Sequence, residues 1–270
     1  MPIGNLKPSA CFVTLRVGLE ASAGDKSRCK FTLRAASIVS AALMATVVTA
    51  MMLSHESASA APYEIRVITD DLTDRGDVSL ELHAASVHAR TGSTTQYLEQ
   101  GLAELSYGIS NTLGVSVQLP VLREPGWRAN GVNFELQYIA HHDHHKGPYW
   151  GARVELERVR SPPEIRMTPA LELRPVIGYR LKSWHTALNM AMRAPLAGPD
   201  RKTSFELSAK LARGIATNMQ LGVEYYSQAQ QPSDGAEKGL ARRRLALLVI
   251  DTKVQGVVLS SGVGRGGLGG

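Results

Sequence analysis

Cysteine is nearly absent from this chain of 270 residues, and its two copies, Cys11 and Cys29, both lie close to the N-terminus. A chain that starts near residue 61 would therefore carry no thiol, no disulfide and no thiolate metal site. Neither cysteine follows the run of small apolar residues that marks a lipoprotein. The sequence thus argues against a disulfide scaffold and against a lipid anchor.

Helical periodicity and a strong basic excess are also missing. After residue 61 no stretch carries an apolar stripe at helical spacing, which argues against a helical bundle. The formal net charge is +6. Residues 1–60 hold six basic and three acidic residues, so the remainder carries only +3. Nucleic acid is therefore not expected as a partner.

The first 60 residues have the pattern of an export signal. Basic residues around Arg28 precede a stretch without charge, Ala35–Leu53, and the small residues of Ser57–Ala61 follow it. This order predicts a secretory signal peptide with an extended lead, cleaved at Ala60 or Ala61. A retained membrane anchor is the alternative, because nineteen apolar residues can nearly span a bilayer. The predicted organisation is a signal over 1–60, an N-terminal segment over 61–77 and one domain over 78–270.

From Val78 onward the dominant hydrophobic period is two. The segment 131–140, GVNFELQYIA, places Val132, Phe134 and Leu136 on one face and Asn133 and Glu135 on the other. Strict alternation of this kind predicts β-strands. Eleven such segments are predicted, at about 78–88, 101–109, 113–121, 131–140, 149–159, 165–177, 184–193, 204–212, 216–226, 242–251 and 254–262.

Strand length and connector length both favour a barrel in lipid. Most segments have nine to eleven residues, whereas strands of soluble proteins have about five or six and tilted transmembrane strands need about 9–11. Long and short connectors broadly alternate, with 160–164 as an exception, as expected when one barrel end carries loops and the other carries turns. The predicted fold is an all-β, antiparallel, up-and-down transmembrane β-barrel of about twelve strands.

Aromatic residues are few, 6% of the chain, yet those on the apolar faces fall near strand ends. Two aromatic belts at two interfaces are typical of a barrel in lipid. The predicted interface aromatics are Tyr107, Tyr138, Trp150 and Trp184 at the periplasmic ends, and Phe134, Phe205 and Tyr225 at the opposite ends.

The opposite face of these strands carries charges of both signs. Lipid would exclude such charges, so they are predicted to line the lumen. They either pair across strands as structural groups or form a selective lining for a permeating solute. The lumen-lining candidates are Glu104, Glu135, Arg153, Glu155, Glu172, Arg174, Glu206, Lys210 and Glu224.

The stretch Leu102–Gly126, LAELSYGISNTLGVSVQLPVLREPG, combines a strand, a tight turn and a second strand. It resembles hairpins of uncharacterised proteobacterial outer-membrane proteins related to the MetA-pathway phenol-degradation barrel family. The segments Trp150–Val159, Ala170–Trp184 and Leu221–Tyr226 are similar to parts of that group. The resemblance implies an outer-membrane channel or transporter. These patterns specify strands rather than chemistry, so the resemblance implies fold and location more than activity.

Four histidines and an aspartate stand in the stretch AHHDHHKGPYWG, Ala140–Gly151, within the connector 141–148 between two predicted strands. Neighbouring imidazoles can bind Zn²⁺, Cu²⁺ or Ni²⁺. A specific site needs rigidly held ligands, however, and these residue types are also ordinary in turns. A solvated turn is therefore favoured over a physiological metal site, and no cofactor is expected. The candidate ligands are His141, His142, His144 and His145.

A catalytic role is not predicted. His185 and Asn189 share the polar face of one segment, but no nucleophile elbow and no compact Ser–His–acid arrangement is visible. The terminal GVGRGGLGG resembles a phosphate-binding glycine loop only superficially, because no helix or βαβ unit surrounds it.

An odd number of strands leaves the last position of the barrel unfilled. Glu64–Thr69 could supply a twelfth strand, or the chain has lost its last strand after the glycine-rich 262–270. The second hypothesis is favoured, because Glu64–Thr69 is too short to span a bilayer.

The predicted protein is exported to the bacterial outer membrane, where it contacts lipid and the barrel assembly machinery. Its predicted role is a passive or weakly selective channel, a transporter or a structural envelope protein of unknown substrate. The alternative is a soluble periplasmic β-protein that binds divalent metal through the His cluster.

Overall fold

A computed structural model describes residues 9–19, 66–91, 94–123, 126–140, 146–160, 167–197, 203–230, 241–254 and 257–269. Strands account for almost all of these residues, and the described part contains no helix. None of these ranges therefore supplies a helix long and apolar enough to cross a membrane.

The described residues form thirteen strands, and each of the eleven predicted segments overlaps one of them for most of its length. The strands are β1 Ser9–Leu19, β2 Val78–Thr91, β3 Thr94–Ser110, β4 Leu113–Arg123, β5 Trp127–Ala129, β6 Gly131–Ile139, β7 Gly147–Arg160, β8 Met167–Leu181, β9 Trp184–Pro195, β10 Ser204–Ala216, β11 Met219–Gln230, β12 Ala241–Val254 and β13 Val257–Gly269.

Twelve of these strands close into one antiparallel ring. Each strand pairs with its neighbours in chain order, except that β6 follows β4 directly and the short β5 pairs only with β4, outside the ring. The ring closes between β13 and β1. The predicted fold class, an all-β up-and-down barrel of about twelve strands, is confirmed.

The closing strand is not where the sequence placed it. Strand β1, Ser9–Leu19, lies between β2 and β13 and pairs with both along most of its length. The prediction that Glu64–Thr69 closes the ring or that a C-terminal strand is missing is therefore wrong. The pattern C-x-V-x-L-x-V from Cys11 to Val17 has the period of a strand. It lies, however, in the range 1–60 that was predicted as an export signal because of the apolar run that follows it.

Strand β1 lies inside the range predicted as signal peptide. Cys11 is thereby part of the barrel wall. It is a free, half-buried thiol, and its Sγ lies 3.8 Å from the carbonyl oxygen of Ser86. The rest of the predicted signal, including Ala35–Leu53 and the cleavage site at Ala60 and Ala61, is outside the described residues.

Glycine in β13 makes room for the closing strand. Phe12 of β1 is buried and packs over Gly262, where an added Cβ would lie 2.2 Å from Phe12 Cε1. Any larger residue at position 262 would collide with the phenyl ring of Phe12. The glycine-rich end, which looked unsuitable for a closing strand, is thus the surface against which β1 packs.

The two ends of the barrel differ in their connections. At one end, here the turn end, two-residue links join β3 to β4, β8 to β9, β10 to β11 and β12 to β13. At the other, the loop end, longer links follow β7, β9 and β11. The predicted alternation of short and long links is present, with the exceptions now at 92–93 and at 140–146. This asymmetry is typical of outer-membrane barrels.

Alternation along each strand separates an apolar outer surface from a polar interior. In β6, Phe134, Leu136 and Tyr138 are exposed on the outside, while Asn133, Glu135 and Gln137 are buried inside. The same arrangement recurs in β7 and β8, where Val154, Leu171 and Leu173 are exposed. Most large hydrophobic side chains on these strands therefore point away from the centre, the reverse of a soluble domain, although a smaller apolar cluster that includes Phe12, Val67 and Ile68 is buried inside.

Candidate functional site

All nine lumen-lining candidates lie on the inner wall of the barrel and are at least largely buried there. Because each sits on a strand whose neighbouring residues face outward, its direction follows from the period of two. In the described part of the barrel these nine residues are packed against other side chains rather than open to solvent. They meet across strands and pair with one another in three groups.

The first group contains a row of like charges. Glu135 of β6, Glu155 of β7 and Glu172 of β8 are direct cross-strand partners. Arg153 and Arg174 form the next row on β7 and β8. Like charges directly opposite each other are destabilising, so this arrangement depends on attraction between the acidic row and the basic row.

Arg153 connects the two rows at the centre of the wall. Its Nη1 lies 3.1 Å from Glu135 Oε2 and its Nη2 lies 3.3 Å from Glu155 Oε2. Gln118 Nε2 donates to Glu135 at 2.9 Å and to Glu104 at 3.2 Å, and Asn133 Nδ2 donates to Glu155 at 2.6 Å. Arg153 is only 1% exposed, so solvent screens these interactions weakly.

The second group continues around the ring. Arg174 donates from Nε to Glu172 at 2.9 Å and from Nη1 to Glu206 at 3.0 Å. Arg193 Nε lies 2.7 Å from Glu157 Oε2. Arg174 of β8 thus neutralises one carboxylate on its own strand and one on β10, and Arg193 of β9 neutralises one on β7.

The third group surrounds Lys210. Its Nζ lies 3.0 Å from Glu224 and 2.7 Å from Asp251, and the Tyr226 hydroxyl donates to Glu224 at 2.5 Å. Sequence reasoning did not include Asp251 among the lining residues, although it follows the alternating run of β12 and its charge is the signal that could have identified it.

Residues 66–77 fold into the barrel rather than extending from it. They precede β2 and enter at the turn end. Ile68 pairs through its backbone with the Asn189 side chain, which accepts from Ile68 N at 2.7 Å and donates to Ile68 O at 2.9 Å. Across the lumen, Gln137 Nε2 lies 3.5 Å from the carbonyl oxygen of Thr69. We name residues 66–77 the inner segment.

Asp70 is the most strongly held residue of the inner segment. Arg180 donates two hydrogen bonds to its carboxylate, from Nε at 2.8 Å and from Nη2 at 2.6 Å. His185 Nε2 lies 3.4 Å from Oδ1 of the same carboxylate. His185 Nε2 also lies 3.0 Å from the Tyr149 hydroxyl. His185 and Asn189, which sequence reasoning considered as catalytic residues, thus both anchor the inner segment.

The neighbouring Asp71 has a side chain that is 64% exposed, and it stays ionised. Partial desolvation by the surrounding barrel and the charge of Asp70 both raise its pKa. The Arg180 guanidinium, the Thr69 hydroxyl 2.6 Å away and Arg16 together outweigh them and hold the pKa below its ordinary value.

Arg66, at the start of the inner segment, reaches a second acidic pair. Its Nη1 lies 2.6 Å from Glu81 and its Nη2 lies 3.7 Å from Glu104, and these two glutamates are cross-strand partners on β2 and β3. A pocket of ≈ 20 Å³ lies beside them, space for about one water molecule. The inner segment and the ion pairs thus fill this part of the lumen.

Every predicted interface aromatic is on the outer surface. Trp150, 60% exposed, stacks edge to face with Tyr138 at a centroid distance of 5.9 Å. The Arg213 guanidinium lies 5.4 Å from the centre of the Trp184 ring. Tyr107 and Tyr179 are exposed at the same turn end, so aromatics cluster there, while Phe134, Phe205 and Tyr225 are exposed nearer the loop end. Tyr179 was missed, because the predicted strand ended at residue 177.

The His cluster at 141–145 is outside the described residues, so the ligand candidates His141, His142, His144 and His145 stay predictions. They occupy the link between β6 and β7 at the turn end. Within the described part, one group that the sequence did not predict brings a histidine nitrogen and two carboxylate oxygens within 4.8 Å of one another: Glu81, His83 and Glu104.

The fold and lumen define a closed twelve-stranded antiparallel barrel with an apolar exterior and a charged interior occupied by its own chain. No protein family model, no curated protein and no solved structure matches this sequence. The resemblance to the MetA-pathway barrel group therefore rests on the quoted strand and turn segments alone.

Proposed function

We propose that this protein is an outer-membrane barrel that spans the bilayer. The observation that carries the proposal is the outer surface, where large hydrophobic side chains from β2 to β13 are exposed all along the wall. In water such a surface would cost free energy in proportion to its apolar area, whereas in lipid it is the favourable arrangement. The aromatics at the two ends suit the interfaces of a membrane.

The proposed orientation places the turn end in the periplasm, as in barrels with short periplasmic turns and longer external loops. Export and delivery to the barrel assembly machinery belong to the same proposal. The soluble alternative, a periplasmic protein that binds metal through the His cluster, is not favoured, because a soluble barrel would expose this apolar belt to water.

Within the membrane we propose a passive or weakly selective channel or transporter that is closed at rest by the inner segment. The lumen has the charged walls of a solute path, but the inner segment lies in it and is fixed to four strands: Arg66 to β2, Thr69 to β6, Asp70 to β8 and Ile68 to β9. A structural envelope protein with a permanently filled lumen is the second candidate, which the extent of the ion-pair groups favours. Neither role needs catalysis.

Two measurements on refolded protein test these proposals. The barrel should need detergent and migrate differently on gels before and after heating; a protein soluble without detergent would contradict the membrane assignment. In planar bilayers the unchanged protein should conduct weakly, and the double variant Asp70→Asn with Asn189→Ala should conduct more, because two of the four contacts that fix the inner segment are weakened.

Asp74→Asn is the matched control, since Asp74 lies on the same segment with an exposed side chain. It should leave conductance unchanged. If the double variant conducts no more than the unchanged protein, the closed-channel proposal fails and the structural role is the better account.

A further inference from the structure

We propose that Glu81, His83 and Glu104 form a binding site for a divalent transition-metal cation of the Zn²⁺ type, and that Arg66 of the inner segment occupies this site as a built-in cation when no metal is bound. The inference goes beyond the proposed channel, because a barrel that conducts nothing would still hold the ion.

The donor set comes from two adjacent strands in fixed register. Glu81 and His83 are two residues apart on β2 and point to the same side, and Glu104 is the direct partner of Glu81 on β3. One ligand atom from each residue lies within 4.8 Å of the others. Bonds of about 2.0–2.2 Å to Zn²⁺ bring tetrahedral ligands somewhat closer together, so small side-chain rotations would close the set.

The chemistry of the donors selects the cation class. One imidazole nitrogen and two carboxylates suit Zn²⁺ and other first-row divalent ions, and leave a fourth position for water. All three side chains are buried in the wall of the lumen, 4% to 7% exposed. They are therefore held more rigidly than ligands on a surface loop.

A hydrogen bond behind the histidine supports the assignment. Thr14 Oγ1 of β1 lies 2.8 Å from His83 Nδ1. When Nδ1 carries the proton and donates to Thr14, the lone pair of Nε2 is directed toward Glu81, whose Oε1 lies 3.5 Å away. Metal-binding histidines almost always have such a partner on the second ring nitrogen, which fixes the tautomer and the ring orientation.

Arg66 shows that the position already holds positive charge. Its guanidinium lies between Glu81 and Glu104. The second cation of this pocket, Arg16, donates to the Thr73 hydroxyl at 3.2 Å. Since one guanidinium and one metal ion cannot both neutralise the two carboxylates at close range, metal binding must displace Arg66 and with it the first residue of the inner segment.

The test uses the full chain refolded in detergent with His141, His142, His144 and His145 changed to alanine, so that the connector cannot bind the probe. Titration calorimetry with ZnCl₂ should show one saturable site per barrel. Co²⁺ in its place should give the visible absorption of a four-coordinate site with nitrogen and oxygen ligands. Absence of saturable binding in this background would overturn the proposal.

Variants identify the ligands. His83→Ala and Glu104→Gln should abolish the site, and Thr14→Val should weaken it about 10–100-fold, as loss of an outer-shell partner does. Glu172→Gln is the matched control, a buried glutamate paired with Arg174 on the far wall, and should bind Zn²⁺ as the background does.

The decisive variant is Arg66→Ala, which should bind Zn²⁺ several-fold more tightly because it removes the competing cation. Misfolding cannot produce a gain of this kind, and heat-modifiable migration checks the fold of every variant. Unchanged or weaker binding in Arg66→Ala, or binding that survives His83→Ala, would show that the ion binds elsewhere.

Discussion

The outer and inner surfaces of this barrel are built by the same strands but stabilised in opposite ways. Leu136 and Glu135 are consecutive residues of β6, yet the first faces outward with 44% of its surface exposed and the second is buried among Arg153 and Gln118. The outer surface needs only to be apolar and tolerates many shapes. The inner surface depends on specific pairs, because a buried charge without its partner is costly.

Opening the ring should have the largest effect, because it joins the two surfaces. A chain that begins at Ala61 lacks β1, which leaves the edges of β2 and β13 without partners. In lipid each unsatisfied backbone group costs several kcal/mol. We expect refolded 61–270 to lose heat-modifiable migration and protease resistance, whereas removal of residues 1–8 alone should preserve both.

The same experiment addresses export. N-terminal sequencing of protein from the cell envelope shows whether the chain is cleaved at Ala60 or Ala61. A cleaved form that still migrates as a folded barrel would show that β1 is dispensable for closure.

A smaller but still large effect should follow from removing one inner charge. Arg153→Met leaves Glu135 and Glu155 buried without their cation, which should lower the free energy of unfolding by about 3–5 kcal/mol. Urea unfolding in detergent measures it. The matched control is Arg123→Met, because Arg123 pairs with Glu99 near the loop end with 44% of its side chain exposed, and surface pairs contribute about 1 kcal/mol or less. Equal losses in the two variants would contradict a tightly packed lumen.

A charge placed on the outer surface should lower the free energy of unfolding by less than Arg153→Met does. Leu136→Arg introduces a cation near the middle of the lipid-facing wall, with an expected loss of about 2–4 kcal/mol. Leu181→Arg, at the last residue of β8, should cost about 1 kcal/mol or less, because the penalty falls toward the interface. If depth makes no difference when both are unfolded from bilayers, the proposed membrane position is wrong.

Sequence reasoning recovered the local part of this structure. The period of two placed strands β2–β4 and β6–β13 and assigned Glu135 and Leu136 to opposite faces, because alternation is a property of the strand itself. It did not identify β1, because Ser9–Leu19 fell within the range assigned to the export signal and its pairing with a strand as distant as β13 cannot be read from one segment.

The occupied lumen was missed for the same reason. Glu64–Thr69 looked like a strand too short to span, and the role of the inner segment depends on Asn189, Arg180 and Glu81, which lie on β9, β8 and β2. Sequence alone showed that the lumen is charged. It could not show which charges pair, because that depends on register between strands.

The position of β1 has a consequence for the order of assembly. Ser9 pairs with Arg265, so the seam joins two parts of the chain separated by nearly its whole length, and such contacts form late and slowly. The inner segment lies between β1 and β2 in the chain, and we expect it to enter the interior before the seam forms. We therefore expect a long-lived open intermediate in which β2 to β13 are paired and the inner segment lies in the interior. Pairing of β1 with β2 and β13 would then be the rate-limiting step.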